Sequence, residues 1–249
     1  MPTIFILCIL SSLILIGGCD NKPNLKNTPC TALTTPFAHT RCVADNADGL
    51  SLHWQSNDKS TLYTFERLIA TQGDVTFAMN AGMYDQAFAP IGYTAINGNI
   101  IKPLNTNDGE GNFHLMPNGV FWWNHEGTFV DTTPAFANKL AQGIKPTYAT
   151  QSGPMLVIDG QIHPRFDPKS TSYKIRNGVG VDCTDKRTHF IISDEAVNFY
   201  QFANVFKQDL GCQNALFLDG GIASALYAKN LNRHDKLNMA VMVAFKDNQ

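Results

Sequence analysis

The decisive stretch is Leu210-Gly211-Cys212-Gln213-Asn214-Ala215-Leu216-Phe217-Leu218-Asp219-Gly220-Gly221-Ile222-Ala223-Ser224-Ala225-Leu226. It reads as a helix end at Gly211, a short buried strand over 215–218 and a sharp turn over 219–221. A run of small residues follows. A carboxylate at the C-terminal tip of a buried strand points out of the sheet edge into a crevice. The two glycines behind it free the backbone for positive φ and for close approach to a ligand. For an isolated Asp-Gly the plainer reading is a turn in which Asp219 caps the next segment. The double glycine, the strand before it and Ser224 after it make a site the stronger reading.

The upstream chain supports this. A strand over 189–193 runs into a helix opened by Asp194-Glu195, with Phe199, Phe202, Ala203, Phe206 and Leu210 on one face. Strand, helix, Gly211 and strand together form a βαβ-like unit that delivers Asp219. Residues 239–245 read as a central apolar strand that closes the sheet. Earlier, residues 61–72 have the spacing of a helix, with Leu62, Phe65, Leu68 and Ile69 on one face and Gly73 as its stop. An apolar strand over 75–79 then ends in Asn80-Ala81-Gly82-Met83-Tyr84-Asp85. Here a polar side chain again stands at a strand tip, ahead of a small residue and a glycine. Two such tips in one domain can converge on one cleft.

Other segments mark out a strand-rich chain. Asn97-Gly98 reads as a hairpin turn between 91–96 and 99–102, and Asn118-Gly119 as another. Trp122 and Trp123 alternate, so one is expected in the core and the other partly exposed. Arg176 opens the run Arg176-Asn177-Gly178-Val179-Gly180-Val181, and an arginine there suits two-point binding of a phosphate or carboxylate. The expected fold class is α+β: a single domain over 41–249 with a mixed, strand-rich twisted sheet flanked by a few helices. The chain has 249 residues, 44% hydrophobic and 16% charged, with net charge −2. That suits one domain with a real core and lacks the basic excess of a nucleic-acid surface. No H-E-x-x-H, G-x-S-x-G, Walker loop or dinucleotide fingerprint occurs. The chemistry therefore rests on carboxylate, amide and guanidinium groups among glycine turns.

The N-terminus suggests an address. Residues 4–16 are apolar but short for a membrane span, and Ile16-Gly17-Gly18-Cys19 follows. This pattern is similar to a bacterial lipoprotein signal over 1–18, cleaved before a lipidated Cys19. Residues 1–3 lack the Lys or Arg usual in such signals. Residues 19–40 read as a tether, and Asp20 points to retention on the periplasmic face of the inner membrane. Cys30, Cys42, Cys183 and Cys212 remain, an even number that suits an oxidising compartment. Of the three connectivities, Cys30–Cys42 with Cys183–Cys212 is preferred, the second pair flanking the strand–helix unit that presents Asp219.

A resemblance emerges from four runs taken in order: Met79-Asn80-Ala81-Gly82-Met83-Tyr84, Ser152-Gly153-Pro154-Met155-Leu156, Arg176-Asn177-Gly178-Val179-Gly180 and Leu218-Asp219-Gly220-Gly221-Ile222-Ala223-Ser224. Together they resemble the signature runs of the phosphodiester glycosidase family. The chain departs from that pattern at Ile222, where a third glycine is usual, and at Asn177-Gly178-Val179, where Thr-Ala usually precedes the glycine. The resemblance implies hydrolysis between a sugar's anomeric carbon and a phosphodiester oxygen. It implies Asp219, Arg176 and Asn80 as catalytic residues, with Arg176 neutralising phosphate and Asp219 serving the anomeric centre. Gly82, Tyr93, Arg165, Gly220, Gly221 and Ser224 are the candidates for substrate binding. A divalent cation held by Asp219 and a neighbouring oxygen is left open, since no ligand spacing defines one. The implied partner is a carbohydrate phosphodiester or envelope glycan, not nucleic acid. Two other readings use the same residues: a non-catalytic glycan- or glycolipid-binding lipoprotein, and a metal-dependent phosphodiesterase acting at phosphorus.

Overall fold

A computed structural model describes residues 28–220 and 223–247. The signal and tether readings up to residue 27, the lipidation site Cys19, and Gly221 lie outside the described residues. Three antiparallel sheets replace the single mixed sheet expected from the sequence. The first holds, in spatial order, Cys30–Leu33, His39–Ala44, Thr188–Ser193, Asn177–Val181, Asn214–Phe217, Met155–Ile158 and Gln161–Ile162. The second holds Arg233–His234, Leu226–Ala228, Phe77–Asn80, Met242–Phe245 and Leu50–His53. The third holds Asn99–Lys102, Thr94–Ile96, Tyr148–Ser152, Gly119–Asn124 and Gly127–Thr132.

Alternation along the strands explains how the sheets fit together. Side chains of one parity from all three sheets meet in a shared core that includes Leu52, Phe77, Met79, Phe121, Trp123, Val179, Phe190 and Leu216. Side chains of the other parity face outward, and a helix covers each outer face. Helix α1 (Phe65–Gln72) packs Phe65 and Leu68 over Ala78, Met242 and Ala244 of the second sheet. Helix α2 (Thr133–Ala141) packs Phe136 over Val120, Trp122 and Ala149 of the third. Helix α3 (Phe199–Asn204) continues into a π-turn over Val205–Asp209 and packs Phe202 and Phe206 over the first. Burying such aromatic and aliphatic side chains contributes about 1.5–3 kcal/mol each. With both faces of a strand buried, polar–apolar alternation disappears from the sequence.

That symmetry of burial accounts for several differences from the sequence reading. Both tryptophans are buried: Trp122 faces α2, while Trp123 faces the central core and donates to the Leu50 carbonyl at 3.2 Å. The closing strand begins at Met242 and lies inside the second sheet, not in the sheet that carries Asp219. Asn118-Gly119 makes no hairpin turn. Asn112–His114 is a short helical turn, and the Gly119–Asn124 strand pairs instead with Gly127–Thr132. Helix α3 starts at Phe199 because Asn198 and Gln201 form a reciprocal cap, and Asp194 is drawn away by Arg233.

Other expectations are met. Thr64 caps α1 and Gly73 ends it at φ 76°. Asn97 and Gly98 carry φ of 51° and 75° in the expected hairpin. Strands Thr188–Ser193 and Asn214–Phe217 both run antiparallel to Asn177–Val181, so they are parallel to each other with α3 as their crossover. Both disulfides form. Cys30 and Cys42 are direct cross-strand partners, and Cys183–Cys212 joins the two ends of that crossover unit. No helix among the described residues is long and apolar enough to cross a membrane.

Candidate active site

The site lies where the first sheet hands the chain to the second. Asn80 ends a second-sheet strand, and Asn177 begins a first-sheet strand. Asp219 follows the first-sheet strand Asn214–Phe217 by two residues. The chain then crosses over, reaching the second-sheet strand Leu226–Ala228 beside Phe77–Asn80. The backbone is pinned at each step. Leu218 N–H donates to the Asn177 carbonyl at 3.0 Å, and Asp219 N–H to the Ala81 carbonyl at 2.8 Å.

Two amides hold this junction. Asn80 Nδ2 donates to the Asp219 carbonyl. Asn80 Oδ1 accepts from Asn177 Nδ2 at 2.9 Å and from the Ala225 N–H at 2.8 Å. Ser224 Oγ lies 3.2 Å from Asn177 Oδ1 and 3.3 Å from the Ile175 carbonyl, so its one proton serves either acceptor. Asn80 and Asn177 are 1% and 0% exposed. A buried amide left unpaired costs about 1–3 kcal/mol, which explains why every polar atom here has a partner. Asn177 is the residue that sequence reasoning missed. Its signal was a lone polar side chain in a strand otherwise built of glycine and valine.

The Asp219 carboxyl is half-buried. Desolvation pushes its pKa up to about 7, against a smaller opposing pull from the Gly220 N–H. A carboxyl in that position exists in both protonation states near neutral pH and can give or take a proton.

Arg176 sits one residue before Asn177, and alternation sends it to the opposite face of the sheet, under α3. It is 1% exposed. Its Nε donates to the Val197 carbonyl and its Nη2 to the Ser172 carbonyl, both at 2.8 Å. The guanidinium carbon lies 3.6 Å from the centre of the Phe199 ring and 5.8 Å from that of Phe217. Phe166 stacks on the Phe199 ring, and His163 on Phe166. Burial lowers the Arg176 pKa to about 10. Among the described residues no carboxylate pairs with it. The structure thus brings Asn80, Ser224 and the Asp219 backbone into one network through Asn177, and the Arg176 guanidinium is not part of that network.

The remaining candidates have plainer settings. A Cβ at Gly82 would run into Thr150 Oγ1 and the Gln151 carbonyl, and one at Gly220 into the Phe217 ring. Neither glycine has positive φ, which at Gly220 differs from the expected left-handed turn; both are required for close packing. Tyr93 is buried edge-on against Phe136 in the core between the third sheet and α2, so its ring is a packing element. Arg165 is exposed. Among the described residues no three His, Cys, Asp or Glu side chains gather as a metal site. The oxygen nearest in role to a second cation ligand, Asn80 Oδ1, already accepts two hydrogen bonds. Two surface clefts, of about 540 and 410 Å³, lie one around residues 44–47, 126–129 and 182–188 and the other around 47–51, 123–125 and 147–148, and include none of these residues.

A carboxyl at a sheet junction, paired amides and, on the other face of the sheet, a buried guanidinium are what the structure offers at the candidate site. A profile of the phosphodiester glycosidase family matches residues 70–245. The chain is 38% identical over 203 residues to the uncharacterized protein YigE of Escherichia coli (strain K12), covering 80% of this chain and 78% of that one. The chain belongs to the phosphodiester glycosidase family. Its fold is similar to the catalytic domain of zebrafish N-acetylglucosamine-1-phosphodiester alpha-N-acetylglucosaminidase, auto-inhibited by its pro-peptide. The TM-score is 0.64 at 15% identity, over 85% of this chain and 77% of that one. A hypothetical protein from Synechocystis is similar at TM-score 0.57 and 12% identity, over 83% and 58% of the two chains.

Proposed function

We propose that this chain hydrolyses the bond between a sugar's anomeric carbon and the oxygen of a phosphodiester. The observation that carries the reading is the Asp219 carboxyl. Its N–H is held by the Ala81 carbonyl and its carbonyl by the Asn80 amide, while burial raises the carboxyl pKa to about 7. In the reaction, water attacks the anomeric carbon as the bond to the phosphate oxygen breaks. The phosphate monoester departs with the bonding electrons, and Asp219 takes the proton from water. A phosphate monoester leaves readily, so the site needs little general acid; it needs support for an oxocarbenium-like centre and for charge on phosphate. The ionised Asp219 provides the first. Arg176, which pairs with no carboxylate among the described residues, is the cation this reading assigns to the second.

The test uses α-N-acetylglucosaminyl 1-(methyl phosphate) in isotopically labelled water, followed by mass spectrometry of both products. Label in the sugar is the expected result. Label in the phosphate would replace this mechanism with attack at phosphorus, and saturable binding without turnover would leave a glycan-binding protein. The envelope address belongs to the same proposal. It is supported by the Ile16-Gly17-Gly18-Cys19 pattern and by two disulfides suited to an oxidising compartment. A mature N-terminus at a diacylglyceryl-modified Cys19 is expected by mass spectrometry, and any other N-terminus would overturn it.

A further inference from the structure

The outer face of the first sheet carries a second set of polar groups, beyond the end of α3. In the strand His39–Ala44, Cys42 and Ala44 join the central core. Alternation therefore turns His39, Arg41 and Val43 outward. Arg41 stands between Thr31 on the edge strand and Ile191 on the next strand. A cleft of about 310 Å³ opens here between the edge hairpin and the π-turn that ends α3. That volume is at the lower end of small-molecule sites. Leu33, Pro36, Val205 and Leu210 supply its apolar walls, and Asp209 is exposed at its rim.

Arg41 is the donor this cleft leaves over. His39 Nδ1 already donates to the Phe37 carbonyl at 2.8 Å. The half-buried Arg41 has its Nε enclosed without a hydrogen-bond partner, and among the described residues no carboxylate stands within ion-pair distance of its guanidinium. The neighbouring pairs explain why. Asp185 is held by Arg187 at 2.8 Å and by His189 Nε2 at 2.9 Å, and Asp45 also faces Arg187. Burial, then the Arg187 charge, lower the Arg41 pKa by more than Asp185 and Asp209 raise it. The guanidinium nevertheless stays charged. His189 Nδ1 is also buried and unpartnered. As an acceptor it complements the Arg41 Nε–H and leaves the two Nη groups for a ligand.

The surroundings narrow the ligand. Asp209 at the rim and the nearby Asp185 disfavour a dianion. A carboxylate carries one charge and fits a guanidinium at two points. The four apolar walls accept hydrocarbon. We propose that this cleft is a binding site for a small organic carboxylate with an apolar body. The strand Asn214–Phe217, which leads to Asp219, lies three strands away from His39–Ala44 in the sheet. At the usual strand spacing that is about 14 Å. The cleft is therefore separate from Asp219 and does not depend on the proposed hydrolysis.

The full-length chain is titrated with hexanoate, hexanol and acetate by ligand-observed NMR. Hexanoate should bind about tenfold more tightly than hexanol, the scale of one charge-assisted hydrogen bond. It should also bind more tightly than acetate, which cannot reach the apolar walls. Arg41→Gln should erase the preference for hexanoate over hexanol. Leu33→Asp keeps Arg41 and sets a like charge in the wall, and it should abolish hexanoate binding. Thermal unfolding checks that each variant is folded, and the comparison within the parent chain stands even where a variant is not. Hexanol bound as tightly as hexanoate would make the cleft merely apolar, and acetate bound as tightly would make Arg41 a bare cation. Either result overturns the proposal. So does the absence of saturable hexanoate binding to the parent, or hexanoate binding unchanged in both folded variants. Hexyl phosphate bound more tightly than hexanoate would overturn the choice of a carboxylate.

Discussion

Asn177 and Arg176 adjoin in sequence, are both closed off from solvent, and occupy opposite surroundings. Asn177 faces the second sheet, where its amide is fully matched by Asn80 and Ser224. Arg176 faces α3, where carbonyls and ring faces receive its donors and, among the described residues, no carboxylate meets its charge. The matched amide behaves as framework: it fixes where Asp219 starts. The unmatched charge is costly to bury, and under the proposed function a ligand anion offsets that cost. Asp219 has its backbone in the framework.

If that division holds, function and stability should separate under mutation. The largest effect is expected for Asp219→Asn, which keeps shape and loses the charge that supports the anomeric centre. Turnover of α-N-acetylglucosaminyl 1-(methyl phosphate) should fall on the order of 10³-fold, with circular dichroism unchanged. Wild-type turnover by this variant would remove Asp219 from the mechanism. Next, Arg176→Lys should lower kcat/KM about a hundredfold, since an ammonium cannot reproduce a planar, stacked guanidinium. Its melting temperature should fall too, since an ammonium cannot keep both the Val197 and Ser172 carbonyl bonds, but the variant should remain folded and its activity should fall by more than the unfolded fraction explains. A large loss of stability with intact activity would make Arg176 a structural residue and erase the contrast with Asn177.

Asn177→Ala tests the other half. It takes one partner from Asn80 Oδ1, which keeps the Ala225 N–H, and one from Ser224 Oγ, which keeps the Ile175 carbonyl, and the lost bonds are worth about 2–3 kcal/mol. Urea unfolding should show that loss, and activity should fall only through the displaced Asp219 backbone. A variant as stable as the parent would mean that water replaces the amide and that the framework role lies elsewhere.

The sequence made the strand tips at Asn80 and Asp219 legible because short apolar runs ending in a polar residue and glycine carry a local signal. The crossover from Thr188–Ser193 through α3 to Asn214–Phe217 was legible for the same reason, and so was the pairing of Cys183 with Cys212. The number of sheets was not. Strands buried on both faces lose their alternation, so Met242–Phe245 and Asn214–Phe217 read alike although they lie in different sheets. The face chosen by Arg176 was hidden as well. A one-residue offset between Arg176 and Asn177 decides which side each takes, and only the register with Ile192 and its neighbours fixes it.

The smallest effect expected concerns pH and stability, and it asks whether the Asp219 carboxyl is as dry as its position implies. Its pKa stands at about 7 in the folded chain against an ordinary 3.8. The folded state therefore holds this proton more tightly than the unfolded state. The associated stability is fully present below about pH 4 and is lost as the pH rises through about 7. Asp219→Asn has no proton to lose at this position. Its stability relative to the parent should therefore increase from pH 4 to pH 7 and level off above that. The full shift corresponds to about 4 kcal/mol, and partial contact with solvent reduces the expected gain to on the order of 2 kcal/mol. Urea unfolding of both chains at pH 4, 6 and 8 measures it. Parallel pH dependence in the two chains would mean that water reaches the carboxyl freely. Asp219 would then be an ordinary ionised carboxylate at neutral pH, and the acid limb of the pH–rate profile should lie near 4 instead of near 7.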